Sequence, residues 1–123
     1  MKKTLALAAM FGLFATPVQA EHWDIIGSKL KDGCTMGTYM AIVKDFNEWG
    51  KSHGYKATIL TPIQDRDLET FWWIGKTKDA AAFGAAWDAW RNALSDPNST
   101  EAKLQARFDK CSTDTSRSGY DAW

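Results

Sequence analysis

Two cysteines, two histidines, a short run of mixed charge and a surplus of tryptophan are the residues here whose types and spacing can do chemistry. Cys34 and Cys111 are the only cysteines. A catalytic redox pair usually stands as C-x-x-C, and a metal site needs more ligands than His22 and His53 can add, so no metal is expected. The bland and favoured reading is one structural disulfide, Cys34–Cys111. Its long loop predicts a stabilisation of about 4 kcal/mol in the chain-entropy picture.

His22 stands beside Trp23, and an imidazole can serve as base or ligand, so it is a candidate polar contact, base or haem ligand if the first strand lines a pocket. A solvated strand end is the commoner role for such a residue. His53 sits where a helix should close, and an imidazolium there complements the helix dipole. Asp65, Arg66, Asp67 and Glu69 cluster in a turn. Arg66 is the candidate anion contact among them, against the plainer reading of a solvated tip. The seven tryptophans can each bury a large area. Trp23, Trp49, Trp72, Trp73, Trp87 and Trp90, with Phe83, form the candidate ligand pocket or interface; at helical spacing, Trp87 and Trp90 also fit plain core. No nucleophile elbow, phosphate-binding loop, zinc-protease helix or dinucleotide fingerprint is present, and the catalytic residues are unassigned.

The elements that must hold these residues follow from the order of the chain. Lys2 and Lys3, the apolar run Leu5–Ala15, the break at Thr16-Pro17 and the small residues Val18 and Ala20 form a three-part secretory signal, with cleavage expected after Ala20. The apolar run is about half the roughly twenty residues a membrane span needs. The domain reading is therefore a signal peptide over 1–20 and a single α+β domain over 21–123, exported to a bacterial periplasm or secreted, with no membrane span after cleavage. Export also places the cysteines in an oxidising compartment. With Lys2 and Lys3 removed, 13 basic residues face 15 acidic ones, and neither sign is blocked into a stripe. No nucleic-acid partner is expected on that ground.

From His22 to Lys31 the sequence predicts a strand, closed by Asp32-Gly33. Tyr39, Met40, Val43, Phe46 and Trp49 fall at steps of three and four and predict a helix over about 35–53. Strands follow over Tyr55–Thr61 and Leu68–Lys76. A helix capped by Asp79 carries Phe83, Trp87, Trp90 and Leu94. A third, with Asn98 and Glu101 as its capping pattern, carries Leu104, Phe108 and Cys111. Residues 112–123 read either as a short edge strand or as a tail that packs its aromatics on the domain. This βαββα(α)(β) order predicts a ferredoxin-like sandwich, an antiparallel sheet with its helices on one face. Alternation along the third strand puts Phe71 and Trp73 on one face and Trp72 and Ile74 on the other. A sheet covered on one side should be polar on its far side, so the second aromatic face needs a cover: a second copy of the chain, the third helix or tail folded back, or a ligand.

The element order, the run Phe71-Trp72-Trp73-Ile74-Gly75, and Phe83-Gly84 with Trp87 and Trp90 on the next helix resemble dimeric α/β-barrel proteins over about residues 22–95. That superfamily includes the antibiotic-biosynthesis monooxygenase-like and stress-responsive barrel groups. The resemblance implies a ferredoxin-like protomer paired sheet to sheet, often with a pocket between sheet and helices. Some members are cofactor-independent oxygenases and some degrade haem. This chain departs from the pattern in its export signal, its disulfide and its added helix, and no catalytic residue carries over by motif. The expected function is a non-catalytic homodimer that binds a small apolar or aromatic ligand, or a protein partner, without a cofactor. The alternative is a cofactor-independent monooxygenase or a haem-binding or haem-degrading enzyme.

Overall fold

The computed structural model describes Gly12 and residues 18–123; the expected signal segment lies almost wholly outside them. Strand β1 spans Glu21–Leu30, helix α1 Met36–Lys51, strand β2 Lys56–Leu60 and strand β3 Phe71–Thr77. Helices α2 (Ala80–Ala93) and α3 (Thr100–Cys111) follow, and β4 (Ser112–Ala122) ends the fold. The four strands form one antiparallel sheet in the order β2-β3-β1-β4. This is the ferredoxin-like α+β arrangement expected from the element order. Among the described residues, no helix is long and apolar enough to cross a membrane.

Each helix begins where its sequence offers a side-chain acceptor. Thr35, Asp79 and Ser99 accept hydrogen bonds from Thr38 N, Ala82 N and Ala102 N, satisfying N–H groups that the first turn leaves without partners. The third cap is thus Ser99 and not Asn98. Glu101 leaves the capping pattern and accepts from the indole of Trp49 instead, at 2.7 Å. Along α1, Tyr39, Ile42, Val43, Phe46 and Gly50 are buried, one stripe at helical spacing facing the sheet.

The residues after Cys111 are the largest departure from expectation. They read as a polar and ambiguous tail, yet they form an eleven-residue strand paired along the whole of β1. Pairing to β1 satisfies its backbone on one side, so the strand needs little apolar content. A bulge interrupts this ladder beside Gly27, where the Thr115 hydroxyl donates to the Gly27 carbonyl at 3.1 Å. One extra residue on β4 reverses the alternation there. Asp114 and Arg117, three apart, therefore both face the helices; on a regular strand they would point to opposite sides.

The disulfide Cys34–Cys111 joins the start of α1 to the last residue of α3, with Cα atoms 5.2 Å apart. It fixes the point where α3 hands over to β4. Neither α3 nor the tail covers the outer face of the sheet, since one packs with the helices and the other joins the strands. That outer face carries Trp23 and Ile25 from β1, Trp72 and Ile74 from β3, Leu60 from β2 and Tyr120 from β4, as the registers require. Trp72 lies across Gly27, which has no side chain to displace it. Leu60 and Tyr120 remain more than half exposed.

Candidate functional site

Between the sheet and the helices lies a cavity of about 290 Å³. Its walls follow from the two periodicities of the chain. Strand alternation sends Ile26 and Ser28 from β1 and Trp73 from β3 toward the helices. Helical spacing returns Tyr39, Phe46 and Trp49 from α1, Phe83, Trp87 and Trp90 from α2, and Phe108 from α3. The aromatic rings meet largely edge to face: Phe46 with Trp73 at 4.8 Å and Trp49 with Trp90 at 5.0 Å between centroids.

A polar network underlies one side of this aromatic chamber. Asp24 is only 2 % exposed, between Trp23 and Ile25 in β1. Its carboxylate accepts from Arg117 Nε at 2.9 Å and Nη2 at 2.7 Å, and from the Tyr55 hydroxyl at 2.8 Å. Tyr55 in turn accepts from the Trp73 indole at 2.8 Å. Room for this arrangement comes from the cross-strand neighbours of Asp24, which are Gly75 on one side and Gly119 on the other. A Cβ at Gly75 would occupy the place of the Tyr55 hydroxyl. Burial, then the charge of Asp24, pushes the Tyr55 phenol far above its usual range. For Arg117, burial works to lower the pKa, but the hydrogen bonds and charge of Asp24 outweigh it and the net shift is upward. Its guanidinium also stacks over Trp87, 4.1 Å from the ring centroid.

A second polar set stands on the same β4 edge. Ser28, 1 % exposed, donates to Asp114 at 2.7 Å. Tyr39, 3 % exposed, lines the cavity nearby, and its hydroxyl has no hydrogen-bond partner among the described residues. Burial, then the charge of Asp114, holds its phenol well above the ordinary value. Asp114 and Arg117 are both exposed on the edge strand, so they form the rim through which the cavity meets solvent.

The structure divides the tryptophans singled out in the sequence. Trp49, Trp73, Trp87 and Trp90, with Phe83, line the cavity; Trp23 and Trp72 lie on the opposite face of the sheet and take no part in it. His22 is not a wall residue: its ring packs on Phe83 at 4.5 Å, and its buried Nδ1 lacks a hydrogen bond, 3.9 Å from Asp121. His53 accompanies the end of α1, with Nδ1 2.9 Å from the Trp49 carbonyl oxygen and its ring stacked on Trp49. Arg66 is exposed in the β2–β3 loop and does not reach the cavity. That loop's charges serve the turn. Asp67 accepts from the Thr70 hydroxyl and from Glu69 N and Thr70 N, which holds its carboxyl down at about 2.

Asp24, Tyr39, Tyr55, Asp114 and Arg117 were not picked out from the sequence. Asp24 carried a signal, a carboxylate between Trp23 and the apolar pair Ile25-Ile26. The others carried none, because the bulge and the β1–β4 pairing that assemble them are tertiary. Among the described residues, no His, Cys or Met lines the cavity. The side chains around it that could meet a haem group are two phenols: Tyr55, whose hydroxyl is committed to Asp24 and Trp73, and Tyr39. No group of three or more His, Cys, Asp or Glu residues among those described is placed to hold a metal.

No protein-family model matches the chain. No curated protein matches it either. Solved structures do share its fold. SnoaB, a cofactor-independent oxygenase from Streptomyces nogalater, superposes with a TM-score of 0.58 at 15% identity, over 85% of this chain and 94% of that one. A hydroxynitrile lyase from Passiflora edulis gives 0.55 at 16% identity, over 85% and 94%. At such identities the likeness is one of fold. The shared architecture brings no activity with it.

Proposed function

We propose that this is an exported binding protein that takes a small aromatic molecule into the cavity between sheet and helices. The single observation that carries the reading is the cavity itself, walled by rings and bordered by placed polar groups. A site of that kind is the usual form of a small-molecule site. Titrating the mature protein with naphthalene or indole should give a saturable change in tryptophan fluorescence, since four tryptophans line the walls. Ala86, small and buried at the cavity wall, provides the control: Ala86→Phe fills the space and abolishes the change. A flat titration in the wild-type protein would sink the proposal.

The outer sheet face supports a homodimer. Trp23, Ile25, Leu60, Trp72 and Tyr120 form an apolar surface that no other described element covers, and a second copy packed sheet to sheet would bury it. Sedimentation should return a dimer, and Leu60→Asp a monomer that retains the disulfide and the cavity.

One feature favours a second reading, cofactor-independent turnover of the bound molecule. Arg117 lines the cavity and gives Nε and Nη2 to Asp24, so the N–H groups of Nη1 are left to stabilise an oxyanion formed from a phenol or ketone. The oxygenase described above shares the fold. Oxygen uptake with aromatic hydroquinones, lost in Arg117→Lys, is the result this reading requires.

A further inference from the structure

The charges around the cavity are unequal. Arg117 and Asp24 form a bidentate pair and cancel. Asp114 remains. It lines the cavity, is held by the buried hydroxyl of Ser28, and makes no ion pair with any described residue. No other cationic side chain lines the chamber. The titratable lining together with Asp24 therefore carries one net negative charge, set at the rim of a low-dielectric space where charge counts for more than in water.

The neighbouring groups fit the same sign. Ser28 and Tyr39 supply further oxygen acceptors on that side, and an ammonium group has three N–H donors to satisfy. The walls are indole and phenyl faces, which attract cations. The volume sets the size of the hydrocarbon. An apolar cavity of about 150 Å³ accommodates one benzene, and this one is close to twice that volume.

We infer that the cavity selects an aromatic cation: a flat molecule of one or two fused rings bearing a protonated amine, with the rings among Phe46, Trp73 and Trp90 and the ammonium against Asp114. The inference rests on the binding reading proposed above and adds the class of ligand to it. Asp114 is then the residue that determines specificity, and the β4 bulge at Thr115 is the device that turns it inward.

Three ligands of one shape and different charge test it: 2-(1-naphthyl)ethylamine, 2-(1-naphthyl)ethanol and 1-naphthylacetate, titrated calorimetrically into the mature, disulfide-bonded protein near neutral pH. The amine is expected to bind roughly tenfold tighter than the alcohol, with the acetate weakest. In Asp114→Asn the advantage of the amine over the alcohol is lost. Equal binding of amine and alcohol in the wild type, or a preference that survives Asp114→Asn, overturns the inference while leaving the cavity as a binding site. Tightest binding by the acetate overturns it in favour of an anion held by Arg117. Binding by none of the three overturns this inference and the binding function together.

Discussion

Asp24 occupies the position in this molecule where a single atom's worth of change matters most. It is buried, charged and paired, and such a pair is costly to break because the survivor keeps its charge in a poor solvent. Arg117→Ala leaves the carboxylate with Tyr55 alone, and urea unfolding should show a loss of about 3 kcal/mol. Arg117→Lys should recover little of that, since an ammonium cannot reproduce the two parallel bonds of the guanidinium. Adding Asp24→Asn to Arg117→Ala should restore part of the stability, because the stranded charge is then gone.

The buried phenols make a prediction of opposite pH sense from ordinary acid unfolding. Tyr39 and Tyr55 have folded-state pKa values raised above the unfolded value of about 10. The folded state therefore retains protons that the unfolded chain releases. Their stabilising contribution is complete below about pH 10 and is lost as pH rises beyond it. Absorbance titration of phenolate should show Tyr39 and Tyr55 ionising only together with unfolding, at strongly alkaline pH.

Among the elements, α3 shows how local chemistry and long-range constraint share the positioning of the cavity. At its start Ser99 does two things: its Oγ accepts from Ala102 N and donates to the Ala93 carbonyl, tying the end of α2 to the start of α3. Ser99→Ala should cost about 1 kcal/mol in thermal or chemical unfolding. It should also loosen α3 enough to weaken ligand binding through Phe108. At the other end the helix is fixed covalently at Cys111 and passes without a linker into β4. The strand that supplies Asp114 and Arg117 is thus anchored by a bond three residues before the first of them.

For the whole molecule, the disulfide is the clearest constraint. Small domains bury a limited core, and one bond across a separation of 77 residues contributes about 4 kcal/mol by restricting the unfolded chain. Free-thiol titration of the denatured, unreduced protein should find no reactive thiol. Reduction should lower stability by about that amount, observed as a fall in the urea midpoint.

The sequence by itself determined the elements from β1 to α3 and their order, because local rules govern them: apolar residues every three to four positions along α1 and α2, alternation along β3, and a cap at Asp79. It also determined that Cys34 would bond to Cys111, since no other cysteine exists, and that Trp72 and Trp73 would face opposite sides of a sheet. Its account of the candidate site was half complete. Trp49, Trp73, Phe83, Trp87 and Trp90 were legible by size and spacing, whereas Trp23 and Trp72 could be sorted to the other face only when strand order and register were known. The polar half was hidden. Residues 112–123 have too little apolar content to announce a strand, and their backbone finds its partners in β1, some ninety residues earlier. Only that pairing, with the one-residue bulge at Thr115, brings Asp114 to Ser28 and Arg117 to Asp24. Tertiary structure decided the charge of the cavity for that reason: electrostatic pairing depends on distance in space, and the sequence records only distance along the chain.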